Sequence, residues 1–255
     1  MGTIVAGPLE QFVVKPLIPL QLGPYDISFT NSSFMMVTAV VISALLFTLA
    51  VKPGALIPSR LQVVSESLYE FVASMVKEQI GPEGRRYFPF VFSLFMLILF
   101  GNLLGMVPLG DLSFTFTSHI IVTFALALVV FLMVTILGFV RHGVHFLSIF
   151  VPGGSPVWLW PIIIPIEVLS YLSRPISLSM RLFANMLAGH ITLKVIAGFS
   201  VMMVGAGALG AVGSIVPLVI NVALTGFEFM VAVLQAYIFT ILTCIYLKDT
   251  VELHH

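Results

Sequence analysis

Residues 158–198 read WLWPIIIPIEVLSYLSRPISLSMRLFANMLAGHITLKVIAG, and how this stretch is read decides the fold. It is apolar and helical in pattern, with Pro161 and Pro165 near its start and Pro175 inside it. It also carries Glu167, Arg174, Arg181, Asn185, His190 and Lys194. A glycine-rich break, GAGALGAVG at 205–213, precedes a second long stretch at 214–248. Thirty-five helical residues extend about 52 Å at 1.5 Å each. The hydrocarbon core of a bilayer is only about 30 Å thick. Both stretches are too apolar to protrude upright, so they are expected to tilt steeply or kink. The expectation is a long antiparallel helical hairpin.

Composition names the solvent. Of 255 residues, 59% are hydrophobic and 9% are charged. A soluble domain carries roughly 25% charged residues. A chain of this length cannot hide so much apolar surface from water, so its solvent is lipid. Three further spans are expected at 34–51, 87–109 and 117–140, after an outer N-terminal segment at 1–33. Between the first two lies 59–80. There Leu61, Val64, Leu68, Phe71, Val72, Met75 and Val76 repeat at helical spacing, and Glu66, Glu70, Lys77 and Glu78 take other faces. This predicts an amphipathic helix on the membrane surface, ended by Gly81-Pro82. The fold class is therefore an all-α integral membrane protein with five spans and one surface helix, in a single membrane domain over 1–255.

No cleavable signal peptide is evident, because Glu10, Lys15 and four prolines occupy the first 25 residues. The single Cys244 excludes an internal disulfide framework and a cysteine-based metal site. Net charge is zero, which leaves no basic footprint for nucleic acid. The closing His254-His255 is assigned no role.

Lys and Arg orient the chain. Lys52, Arg60, Lys77, Arg85 and Arg86 fall between the first two spans, Arg141 after the third and Lys248 after the last. The opposite loops, at 110–118 and 201–213, hold neither residue type. The N-terminus is expected outside, and the C-terminus in the cytoplasm or matrix.

Charges at membrane depth are costly, about 2.5 to 3.5 kcal/mol each on insertion scales. Glu167, Arg174, Arg181, His190 and Lys194 stand on one long helix and Glu228 on the other, with Asn185, Asn221 and Gln235. The other spans add Asn102 and His119. Arg181, Asn185 and His190, at i, i+4 and i+9, are expected on one helical face. Glu228 and Gln235, seven apart, share a face about 10 Å apart along the axis. With Arg181 and Gln235 level, His190 and Glu228 fall at similar outer depths, and Glu167 lies toward the cytoplasm.

Plainer readings stand beside these. Arg174 and Lys194 can snorkel to an interface. Arg181 can neutralise Glu228 as a structural ion pair. The amides can be interhelical glue. Together, a His, a Glu, amides and an Arg on facing helices look like a proton route interrupted by a fixed positive charge.

RPISLSMRLFANMLAGH followed by EFMVAVLQAYIFTILTCIYL resembles subunit a of F-type ATP synthases. PLEQFVVKPLIPL and FTNSSFMMVT extend the resemblance to mitochondrial and alphaproteobacterial members, over nearly the whole chain. It implies a membrane stator contacting a rotating ring of c subunits, with a subunit b stalk, the remaining synthase subunits and membrane lipid as partners. The membrane would be the bacterial or the mitochondrial inner membrane. Two aqueous half-channels would serve a carboxylate on each c subunit. The family's essential arginine maps onto Arg181, and its asparagine and glutamine onto Asn185 and Gln235. The polar pair of the outer half-channel maps onto His190 and Glu228. Many bacterial members carry these two in the opposite order. Glu167 and Ser177 match the inner half-channel. Asn102, His119 and Asn221 are additional polar positions.

The chemistry fits that implication. A carboxylate passing an arginine is held ionised, since an adjacent positive charge lowers its pKa by about 1 to 3 units. Arginine keeps its own charge when partly desolvated, which lysine does less well. The chain lacks GxxxxGK[ST], GxSxG and HExxH, so no nucleotide, hydrolase or metal chemistry of its own is expected, and no cofactor. A secondary proton-coupled transporter is the alternative. It predicts paired internal repeats, and none is evident between 30–140 and 158–248.

Overall fold

The computed structural model describes residues 12–22, 25–50, 58–107, 114–151 and 156–251. Residue 51 at the end of the first expected span, residues 108 and 109 of the second, and His254-His255 lie outside these. Seven α-helices follow in order: α1 Asn31–Ala50, α2 Arg60–Ile80, α3 Phe88–Met106, α4 Ile120–His142, α5 Trp160–Gly205, α6 Ala208–Gly213 and α7 Ile215–Val251. Among the described residues, five helical stretches are long and apolar enough to cross a membrane, built around α1, α3, α4, α5 and α7. The all-α membrane architecture and the long C-terminal hairpin are as expected.

Two details differ. The stretch expected to end at 198 stays helical to Gly205, and the glycine-rich break itself holds α6. The apolar run Val201–Val204 explains the extension, because nothing in it breaks a helix. The N-terminal segment, expected only as an outer arm, forms two short antiparallel ladders. Pro16–Ile18 pairs with Phe29–Thr30, and Gln21–Leu22 with Tyr25–Asp26. Pro16 and Pro19 forbid a helix there and favour extended backbone. Asn31 ties the arm to α1: its Oδ1 accepts from Lys15 N at 3.1 Å and its Nδ2 donates to Val13 O at 3.2 Å.

The chain folds into two compact units. The first gathers 1–43, 97–119 and 183–236; the second gathers 44–96, 120–182 and 237–255.

In the second unit, Ser59 caps α2 by accepting from Gln62 N at 3.2 Å. Such a cap stabilises a helix by about 1 kcal/mol. α2 buries Val72, Met75, Val76 and Ile80, while Leu61, Val64 and Phe71 of its expected apolar face stay exposed. Phe71 still stacks near Phe95 and Tyr237, both at 5.8 Å. Arg141 at the end of α4 is ion-paired with Glu83, and His142 Nε2 lies 3.0 Å from Thr250 O.

α5 is 46 residues long and α7 is 37. At 1.5 Å per residue these reach about 69 and 56 Å, well beyond the hydrocarbon thickness. Pro165 and Pro175 sit inside α5. Each lacks an N–H, so the carbonyls of Pro161 and Tyr171 lose their ladder partner.

Candidate functional site

In the first unit the two long helices run antiparallel and bring His190 of α5 beside Glu228 of α7. His190 Nδ1 stands 3.6 Å from Glu228 Oε1. Both residues are buried, at 8% and 3% exposure. Glu228 fits because α5 has no side chain opposite it. A Cβ added at Gly189 would come within 2.6 Å of Glu228 Oε1 and 2.9 Å of its Cδ. Neither carboxyl oxygen of Glu228 has a hydrogen-bond partner among the described residues. A buried polar group left so costs about 1 to 3 kcal/mol.

Glu228 lines a cavity of about 520 Å³, with both of its carboxyl oxygens buried behind that surface. Asn185, Gly189 and Thr192 of α5 line it, with Glu228 and Gln235 of α7. Apolar side chains of both helices, among them Leu193, Phe227 and Leu234, complete the lining. Gln235 is 4% exposed and shares the cavity with Glu228, as their seven-residue spacing requires.

The other ring nitrogen of His190 is held too. Nε2 lies 2.8 Å from Thr115 Oγ1, just before α4. A hydroxyl can donate to a bare nitrogen or accept from a protonated one, so Thr115 suits either tautomer of the ring. Asn102 of α3, fully buried, spends its amide on the scaffold. Its Nδ2 donates to Ala232 O at 3.0 Å, and its Oδ1 accepts from Thr117 Oγ1 at 2.7 Å. Asn102 is thus a clamp on the turn of α7 that follows Glu228, not part of the cavity wall. His119 stacks on Phe114 at 4.8 Å, also away from the cavity. Asn221 is half-buried, with an Oδ1 that has no hydrogen-bond partner among the described residues. Lys194 is exposed on α5.

The expectation of one shared face for Arg181, Asn185 and His190 is corrected. Arg181 and Asn185 are exposed and His190 is buried. Four residues bring a helix round by about 40°, but nine bring it round by about 180°. His190 therefore faces inward while Arg181 and Asn185 face outward.

Arg181 belongs to the second unit. It forms no ion pair among the described residues. Arg174 differs. Its Nη1 stands 3.2 Å from Asp249 Oδ2. Its guanidinium lies over Tyr171 at 5.2 Å and over Tyr246 at 4.9 Å. Tyr171 in turn reaches Thr135 Oγ1 at 2.7 Å. Arg174 is held in place rather than snorkelling freely. Glu167 is half-exposed and Ser177 exposed on the same unit, and neither is in an ion pair among the described residues.

Sequence reasoning missed Thr115, Gly189 and Asp249. Gly189 carried a signal: a mid-helix glycine costs about 1 kcal/mol relative to alanine, so one beside a histidine asks for a reason. Thr115 and Asp249 carried none, because their partners lie 75 residues away on the chain in each case.

Comparison with known proteins places the chain in a family. Residues 33–248 match the family described as ATP synthase A chain. "ATP synthase subunit a" of Paramagnetospirillum magneticum is 54% identical over 250 residues, covering 98% of this chain and 100% of that one. The protein of the same name from Parvibaculum lavamentivorans is 56% identical over 254 residues, covering 100% and 96%. That from Rhizobium rhizogenes is 56% identical over 246 residues, covering 96% and 97%. On a match of this length and identity, the chain belongs to the ATP synthase A chain family.

Proposed function

We propose that this chain is the non-catalytic stator of the membrane sector of an F-type ATP synthase and guides protons to and from a rotating ring of c subunits. The cavity at Glu228 is the outer half-channel. His190 and Glu228 pass protons there, and Asn185 and Gln235 hold water in line. Arg181 meets each ring carboxylate, keeps it ionised and blocks a direct leak. Glu167 and Ser177 border the inner half-channel. The N-terminus faces outward and the C-terminus the cytoplasm or matrix. Subunit b and lipid cover other faces, and nucleotide chemistry occurs on other subunits.

The single observation that carries this reading is Glu228, which lines a cavity of about 520 Å³ and whose buried carboxyl has an imidazole 3.6 Å away. An acid and a base so placed can relay a proton through water. Arg181, exposed and in no ion pair among the described residues, adds to it, because a permanent charge on an apolar helix calls for a counter-charge such as another chain can bring. The test is Arg181→Ala in the assembled complex. Proton-driven ATP synthesis should vanish, while ATP hydrolysis by the detached catalytic head remains. Undiminished synthesis would overturn the proposal.

A further inference from the structure

The second unit holds a basic groove that the proton route does not use. We propose that it binds an anionic phospholipid, with the phosphodiester at its cationic end and an acyl chain along its aromatic wall. The groove measures about 530 Å³. Tyr69, Ala73 and Phe88 make one wall, and Lys77 and Arg85 the other end. The Tyr69 and Phe88 rings meet edge to face, 4.8 Å between centroids.

The backbone brings the two cations together. α2 stops at Gly81, which takes φ +77°, a left-handed conformation that glycine adopts without strain. Pro82 then opens a tight turn, in which Gly84 N bonds Gly81 O at 3.1 Å. Gly84 lies against α2 so closely that a Cβ there would come within 2.8 Å of Val76 Cγ1. The chain is thereby folded back, and Arg85 joins Lys77 on one groove.

Neither cation is in an ion pair among the described residues, whereas nearby Arg141 is paired with Glu83. An adjoining space of about 590 Å³ shares Pro82 and Arg85 and adds Arg86, with Arg141 and its partner Glu83 at its edge, so Arg86 is the one further unpaired cation it brings among the described residues. α2 is the amphipathic helix, and such helices lie at the boundary between head groups and acyl chains. Aromatic rings favour that depth. Basic pockets on the side of the membrane richer in Lys and Arg bind anionic head groups. A free phosphate would use the cations but leave the Tyr69–Phe88 wall idle. A phospholipid uses both.

The test uses the intact complex, stripped of native lipid and placed in phosphatidylcholine vesicles. A trace of phosphatidylglycerol or phosphatidylcholine with a photoreactive acyl chain is added, and labelled peptides are mapped by mass spectrometry. Labelling within 69–88 should favour phosphatidylglycerol. That preference should fall about fivefold in Lys77→Gln or Arg85→Gln and on the order of 30-fold in the double variant. Excess inorganic phosphate should not compete. Equal labelling by the two lipids in the wild-type complex would overturn the proposal, with no variant needed. So would competition by phosphate, which would mark a free-anion site, or absence of label with a crosslink to another subunit in its place.

Discussion

The two units handle charge in opposite ways. Nine of the eleven Lys and Arg residues belong to the second unit, and the first has only Lys15 and Lys194. Yet the first unit holds both the buried imidazole and the buried carboxyl found among the described residues, His190 and Glu228. In the second unit Arg174 is paired with Asp249, and Arg181 stands exposed. A permanent charge in lipid needs a counter-charge or an exit. A group that can exchange a proton can be buried, provided that water reaches it. On the proposed function, the first unit serves exchange and the second fixed charge.

Glu228→Gln is the strongest way to break that comparison short of Arg181→Ala. It keeps the volume and removes the exchangeable proton. Proton uptake by assembled complexes in vesicles should fall on the order of 100-fold, the scale of a lost proton-transfer group. Native gels should show the chain still assembled. Loss of the chain from the complex would instead make Glu228 structural, and the two units would then differ only in sign of charge.

Gly189→Ala sharpens the comparison at one atom. In an ordinary helix interior this change stabilises by about 1 kcal/mol. Here the new Cβ would sit 2.6 Å from Glu228 Oε1 and force the carboxyl to move. Overpacking of this kind costs about 1 to 3 kcal/mol, so proton uptake should drop about tenfold. A more heat-stable complex with an unchanged rate would show that Glu228 does not depend on that contact.

How far the sequence reached follows the same division. The spans were legible because length and apolarity alone set them, and the helix-ending Gly81-Pro82 stood out for the same local reason. The facing of His190 and Glu228 could be reached from antiparallel counting. The shared face for Arg181 and His190 could not survive, because nine residues carry a helix half a turn round. Asn102 stood out only as an additional polar position, and its amide is spent on Ala232 and Thr117. Thr115, Gly189 and Asp249 depend on contacts across the fold, which no local pattern encodes.

Thr115→Val tests whether the imidazole is positioned or merely packed. It keeps the shape and removes the 2.8 Å partner of His190 Nε2. One such bond contributes about 1 kcal/mol, so uptake should slow about fivefold. Thr115→Ser, which restores the hydroxyl, should recover most of the rate. If valine and serine behave alike, the hydroxyl does not orient the ring.

Asp249→Asn should have the smallest effect on transport, and that is its use. It removes the carboxylate partner of Arg174, whose side chain is 27% exposed, while that of Asp249 is 38% exposed. A pair this open to solvent contributes only about 0.5 to 1 kcal/mol, and Tyr171 and Tyr246 still flank the guanidinium. Proton uptake per assembled complex should change less than twofold, while the complex dissociates at a slightly lower temperature. A drop in uptake as large as that of Thr115→Val would mean that the ion pair takes part in transport. The fixed charges of the second unit would then serve exchange as well, and the contrast between the units would fail at its weakest point.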